Sequence, residues 1–252
     1  MVRNTNATYR SVTQAYYSAW LGVDDLTSIS GVRSVYSPER NVCQRGYPSR
    51  FDIYLWLQPE RVIVSYGDAA APMIPALMAE LEAMRSASAV KELLWAAFSL
   101  EAKHSIKYLY ENAVQSPMIA QTLTLDQYSD YADFFAACNP SGNRDWLREY
   151  FEEMVRSRYC VGIFQEGRLV SCTDAPDMPY LAIKVQEIGI NTLMEYRGKG
   201  FAAAACIACA QNILASGKVP LWSTGVDNVA SQKTAERVAF VKFADVLTVT
   251  VT

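Results

Sequence analysis

Histidine is almost missing from this chain: His104 is the single one in 252 residues. With no second close cysteine pair to help, a zinc site has no ligand set to draw on, and no metal is expected. Positive charge is not in excess either, since 23 Lys and Arg stand against 26 Asp and Glu for a net of −3. That excludes the basic footprint of a nucleic-acid binder, and any anionic ligand must be held by local groups. Long apolar runs are lacking. The longest, Phe201 to Ala210, falls well short of the roughly 20 residues that span a bilayer. Met1–Leu21 lacks a signal-peptide layout, because Asn4, Asn6, Tyr9 and Arg10 interrupt it. Cysteines number six and are scattered, so no disulfide framework is expected; Cys206-Ile-Ala-Cys209 reads as mid-helix core, not as a redox pair. No repeat or low-complexity linker occurs. What remains is a chain with 51% hydrophobic and 19% charged residues, which excludes disorder. It reads as a soluble cytoplasmic protein without membrane or nucleic-acid partners, a monomer or homodimer.

Hydrophobic periodicity supplies the elements. Tyr9, Val12, Tyr16 and Trp20 share one helical face. Val32–Tyr36, Asp52–Leu57 and Arg61–Tyr66 read as strands, the last two joined at Gln58-Pro59-Glu60. A helix opening at Pro75 carries Leu77, Leu81 and Met84 to about Ser86, and Lys91–Asn112 is aromatic-rich and helical in part. Asn112–Pro117 is the nearest thing to a seam, which divides the chain into a leading α/β domain, 1–115, and a second domain, 116–252. In the second half, Ile119–Leu123 is a strand, followed by helices over Leu125–Cys138 and Arg144–Ser157. A hairpin turns at Glu166-Gly167-Arg168, Gln186–Leu193 is a strand, and an Ala-rich helix runs from Gly200 to about Ser216. Pro220–Ser223, Asn228–Val238 and Val241–Val249 complete a mixed α/β order as strand, helix and strand.

The turn before the Ala-rich helix is the most informative stretch. In Arg197-Gly198-Lys199-Gly200-Phe201-Ala202, two glycines let backbone N–H groups converge, and the helix behind adds its positive end. Arg197 and Lys199 bring cations to the same place. Strand, glycine-basic turn and helix together make a pyrophosphate cradle, although an ordinary strand-to-helix turn has the same letters. Gly198–Ala203 fits GxGxxA, but no acid follows in Lys218–Trp222 to hold a ribose. A Walker A loop fails because Gly198-Lys199 is followed by Gly200.

The run from Glu187 through Phe240 resembles the GNAT superfamily of N-acyltransferases. Arg197, Gly200 and Ala202 match its [QR]-x-x-G-x-[GA] loop, and Asn228, Ser231 and Phe240 match its N-x-x-S…G-F segment. The whole is most similar to a bacterial two-domain subset that includes zwittermicin-resistance acetyltransferases. The resemblance implies a GNAT fold over about 116–252, a mixed central sheet with splayed strands flanked by helices, and acetyl-CoA as cosubstrate. It implies that the main chain of Ile190, Asn191, Thr192 and Leu193 pairs with pantetheine amides. It also implies that Arg197, Gly198, Lys199, Gly200, Phe201 and Ala202 hold the pyrophosphate, and that Asn228 and Ser231 touch the pantetheine arm or the sulfur. The implied chemistry is direct attack of a small-molecule amine, primary and amino-acid-like, on the thioester. Acylation of a protein amine, a longer acyl donor and a non-catalytic acyl-CoA sensor are the alternatives.

Glu187 is the candidate base, sharing a strand face with Gly189 and Asn191; glycine there is expected to leave room for a substrate atom. The competing reading is a solvated carboxylate or a partner for Lys184. The family's tyrosine four residues after the serine is Ala235 here, and the glycine before Phe240 is Ala239, so the proton donor falls to Ser231 or water. Tyr47, Tyr54, Trp56, Tyr66 and Trp95 line an acceptor pocket or, more simply, fill a core. Asp174 and Asp177 read as a solvated acidic loop or as a guide for a cationic amine. His104 reads as a surface or capping residue.

Overall fold

The computed structural model describes residues 5–81, 86–141 and 143–251. The first predicted helix forms as α1, Thr5–Leu21, burying Tyr16, Tyr17 and Trp20. Strand β1 (Gly31–Tyr36) then pairs in parallel with β3 (Arg61–Tyr66), and β3 is the hairpin partner of β2 (Ile53–Gln58). Helix α2 covers Ile74–Leu81; its predicted stripe residue Met84 lies outside the described residues. The aromatic-rich stretch resolves into helix α3, Ala87–Phe98, and strand β4, Ala102–Tyr110. In β4 the period-2 face Ile106, Tyr108, Tyr110 is buried, which carries the strand half of what was read as partly helical.

The second half follows the expected rhythm. Strand β5 (Gln121–Thr122) leads through a capping box at Thr124 and Gln127 into α4, Tyr128–Cys138, then α5, Leu147–Arg156. Strands β6 (Val161–Gln165) and β7 (Arg168–Asp174) form the predicted hairpin. Its loop residues Glu166 and Gly167 both have positive φ, the geometry that matches the twist of a two-residue hairpin. The predicted strand Gln186–Leu193 is broken in two, β8 (Val185–Glu187) and β9 (Gly189–Thr192). Helix α6 (Phe201–Ala215), strand β10 (Val219–Gly225), helix α7 (Val229–Arg237) and strand β11 (Phe240–Val249) complete the chain.

Two sheets result, a seven-stranded one in the order β1-β3-β2-β11-β4-β10-β8 and a four-stranded one in the order β5-β6-β7-β9. Strands from before and after residue 115 interleave in the larger sheet, because β4 lies between β11 and β10 and pairs antiparallel with both. Helix α1 crosses one face of that sheet, over Tyr54, Trp56, Leu221, Ala244 and Val246. Helices α2 and α3 cover the other face at the β2 end, with α6 and α7 at the β10 end. Helix α6 also touches the smaller sheet through Ala204 and Ala205. Its alanines and cysteines explain this position, since only small side chains let one helix pack against both sheets at once. Burial pushes the Cys209 thiol up to about 12 and Cys206 upward as well, in keeping with core residues. Among the described residues no helix is long and apolar enough to cross a membrane.

His104 is not a surface residue. It sits within β4, and its Nε2 lies 2.9 Å from Oδ1 of Asp245 on the neighbouring strand β11. Asp245 also takes the Lys242 ammonium at 2.7 Å. Trp95 does not fill the core, since 66% of its surface is exposed.

Candidate functional site

The sheets part at Ile188. Strand β8 runs parallel to β10, with Val185 opposite Val219 and Glu187 opposite Leu221. The last link is the Ile188 N–H, which donates to the Leu221 carbonyl at 3.1 Å. From Gly189 the chain leaves β10 and pairs with β7, so β9 ends the smaller sheet while β10 continues along β4 to Gly225. The edges of β9 and β10 that face each other are unpaired, as the splayed strands of the sequence reading require. Period-2 reading alone could not reveal the break, since both halves alternate normally; Gly189 is the only local mark of it.

Beyond β9 a turn at Met194–Tyr196 brings in the two glycines, Gly198 at φ 77° and Gly200 at φ 85°, the latter capping α6. A Cβ at Gly198 would meet nothing within 4 Å, so its backbone faces open space; one at Gly200 would lie 3.0 Å from Met118 Cε. The first-turn N–H groups at Phe201 and Ala202 point out of the helix start. Arg197 Nε donates to the Thr192 carbonyl at 3.2 Å, and the Lys199 ammonium lies 4.9 Å from the centre of the Tyr196 ring. Both cations are exposed beside the turn. Along β9, Ile190 is half-buried, Asn191 exposed and Leu193 buried just beyond, while Thr192 Oγ1 lies 2.7 Å from Ser171 Oγ.

Asn228 and Ser231 meet at the start of α7. Asn228 Oδ1 accepts the Ser231 N–H at 3.1 Å, and Ser231 Oγ accepts from Trp222 Nε1 at 3.2 Å. Both oxygens are therefore in use, leaving the Asn228 amide hydrogens and the Ser231 hydroxyl hydrogen for another group. Ala235 is fully buried against this core.

Glu187 lies on the opposite face of the larger sheet from Ser231, because Trp222 and Ser223 are consecutive on β10 and point to opposite sides. Its Oε1 takes a very short hydrogen bond from the Ser223 hydroxyl. Directly opposite Ser223 on β4 is Lys107, whose ammonium is held below its ordinary value by burial, against the opposing pull of Glu187. A second carboxylate stands near. Asp174 ends β7 opposite Gly189, and burial, then the charge of Glu187, push it up to about 6. The space at Gly189 holds this carboxylate: a Cβ there would overlap Asp174. That corrects two expectations, since the glycine makes room for Asp174 and not for a substrate atom, and Asp174 is a half-buried strand residue and not part of a solvated loop. Asp177 is the exposed one, bonded to Arg45 Nε at 2.9 Å.

Around Glu187 stand phenols from the leading half. Tyr16, Tyr17, Tyr47 and Tyr54 are all pushed upward, chiefly by burial, and each also feels the Glu187 charge. Lys107, Ser223 and Tyr17 were not singled out from the sequence, and Tyr16 only as one residue of a helical face. They come from three separate elements, and only the sheet order brings them together.

Residues 149–245 match the family described as GNAT acetyltransferase. No curated protein matches the chain. Among solved structures, a GNAT-family acetyltransferase from Colwellia psychrerythraea is 18% identical, covering 58% of this chain and 56% of that one at a TM-score of 0.50. A GCN5-related N-acetyltransferase from Sphaerobacter thermophilus is 15% identical, covering 66% and 56% at 0.49. A Salmonella typhimurium protein solved with its cofactor acetyl-CoA is 12% identical, covering 53% and 92% at 0.44. The chain thus spans little more than half the length of the first two, and at 18% identity the likeness to the Colwellia protein is one of fold.

Proposed function

We propose that the protein is an N-acetyltransferase, since residues 149–245 match the family described as GNAT acetyltransferase. On this reading it moves an acetyl group from acetyl-CoA to the primary amine of a small, amino-acid-like molecule. The observation that carries this reading is the fork between β9 and β10, with the glycine turn of α6 on one side and Glu187 at its root. The open space over Gly198 and the free backbone edge of β9 fit a diphosphate and an amide-bearing arm. Residues 116–252 hold the coenzyme in this reading, and residues 1–115 wall the acceptor side.

Acetyl-CoA, when bound, supplies an acyl group on a thioester, where a C–N bond forms as the C–S bond breaks. Main-chain groups of Ile190, Asn191, Thr192 and Leu193 align the arm, and those of Arg197, Gly198, Lys199, Gly200, Phe201 and Ala202 take the diphosphate. Glu187 removes one proton from the acceptor ammonium, freeing the nitrogen lone pair. The Ser223 hydroxyl donates to that carboxylate and fixes its orientation. The Ser231 hydroxyl would donate a proton toward the thiol leaving group and regain one from water. The second nitrogen proton leaves as the amide forms, so one proton is released to solvent per turnover.

Thermal denaturation with CoA thioesters, followed by thiol release on adding amines, tests the proposal. Acetyl-CoA is expected to raise Tm, and thiol is expected to appear only when an amine is present. No stabilisation by any CoA thioester would remove the reading; stabilisation without turnover on any amine would leave a binding protein.

A further inference from the structure

Arg40 is an unusual residue for a core. It is 0% exposed, and its Nε and Nη1 find no hydrogen-bond partner among the described residues. Its guanidinium lies 5.2 Å from the ring centre of Trp20 and 5.5 Å from that of Tyr54, and Nη2 reaches only the Tyr180 hydroxyl, at 3.4 Å. Among the described residues no carboxylate forms an ion pair with it; Glu39 stands one step away, accepting from the Tyr180 hydroxyl at 3.3 Å. Ring contacts recover part of the desolvation of a buried cation, but they satisfy no N–H. A permanent charge with open donors, held in a fixed frame, is the arrangement that receives an anion.

The frame is built for this position. The Arg40 stem crosses the chain at Gly67, where an added Cβ would come within 2.9 Å of Arg40 Cβ. Trp20 stacks on Tyr54 at 5.2 Å, and Tyr47 and Tyr180 meet Trp20 edge-on at 5.5 and 5.2 Å. Tyr47 and Tyr54 then join Arg40 to the site already described. Burial dominates both phenols, but each is drawn down by Arg40 and pushed up by Glu187. Both phenols thus feel a guanidinium with unpartnered donors and the Glu187 carboxylate. A small molecule that fits both ends carries a carboxylate and an ammonium.

We propose that Arg40 is the carboxylate anchor of the acceptor site, so that the acceptor is a free amino acid whose carboxylate lies on the guanidinium while its amine faces Glu187. This rests on the acetyl-transfer reading and adds the acceptor class to it. Tyr180 gives up its long contact with Nη2 when the carboxylate arrives.

The test uses the full-length protein, acetyl-CoA and matched acceptor sets: α- and ω-amino acids, their carboxamides, and the amines left after removing the carboxylate. Stabilisation by acetyl-CoA is measured first, and initial rates of thiol release second. Amino acids are expected to exceed their amides and amines by roughly 10- to 100-fold in kcat/KM, mostly through KM, as losing hydrogen bonds to a charged partner implies. Arg40→Gln is expected to raise KM for the acids to that of the amides, with KM for acetyl-CoA unchanged; Arg40→Lys recovers part of the preference. Equal use of acids and amides by the unaltered protein overturns the proposal, as does a preference that survives in Arg40→Gln. If Arg40→Gln does not fold, the acid-to-amide ratio of the unaltered protein decides alone. Acetyl-CoA stabilisation with no amino acid acetylated sinks the anchor but not the coenzyme site, whereas no acetyl-CoA stabilisation removes both.

Discussion

Two carboxylates at the root of the fork have different consequences when altered. Replacing Glu187 with Gln removes the proposed proton acceptor but keeps a partner for the Ser223 hydroxyl. Glu187→Gln is therefore expected to lower kcat by about 10²- to 10⁴-fold near neutral pH, with acetyl-CoA affinity within about twofold, read by initial rates and calorimetry. Unchanged kcat would take Glu187 out of the reaction. Asp174 speaks through stability. Its pKa is raised from 3.8 to about 6 by burial and then by Glu187, so the native state binds its proton more tightly than the unfolded chain does. The native state therefore loses stability as pH rises through the window from about 4 to 6, and above it carries the full penalty. Asp174→Asn is expected to stabilise the protein by about 1–3 kcal/mol at pH 8 and to bring no gain below pH ~4, measured by urea titration at both values. A gain that is the same at both would assign the effect to packing and not to charge.

The glycine-rich turn is an element whose job and whose strain can be separated. Gly198 has φ 77° with open space where a Cβ would project, so Gly198→Ala meets no protein atom and is penalised only through the backbone. That penalty is about 1 kcal/mol, a few degrees in Tm. If the turn's N–H groups hold the diphosphate, the same change is expected to weaken acetyl-CoA binding by about tenfold while acceptor KM stays put. Equal affinity in Gly198→Ala and the unaltered protein would place the diphosphate elsewhere. This turn was legible in the sequence because its requirements are local: a strand, two glycines, a helix start. Helix α1, the β2–β3 and β6–β7 hairpins and the Ala-rich α6 were legible for the same reason. The fork was not, because whether residue 189 continues along β10 or crosses to β7 depends on strands far away in sequence. The site shared that limit. Glu187 stood out in its own segment, whereas Ser223, Lys107 and Asp174 become partners only through register, and Arg40 only through the rings that enclose it.

At the scale of the molecule, the order β2-β11-β4-β10 decides what can stand alone. The half that carries the glycine turn does not complete its own sheet. Between its last two strands lies β4, paired from Ser105 to Leu109 with β10 and from Ala102 to Tyr110 with β11. Removing β4 would open a gap the width of a strand, strip Trp222 and Phe240 of Tyr108 and Tyr110, and leave two facing rows of backbone groups without partners. A division near residue 115 therefore cuts through one sheet, and in the proposed reading it separates roles, coenzyme and acceptor, without separating folding units. A fragment of residues 116–252 is expected to show no cooperative thermal transition by circular dichroism and no response to acetyl-CoA. A fragment of residues 100–252, which restores β4 but not β2, is expected to regain a cooperative transition, at a Tm below that of the full chain because one edge of β11 is still bare. If 116–252 melts cooperatively and binds acetyl-CoA on its own, the strand from the leading half is an accessory and the sheet closes without it. If neither fragment folds while the full chain does, the aromatic layer under α1 is the larger part of the stability, and the two halves are one cooperative unit from Tyr16 to Val249.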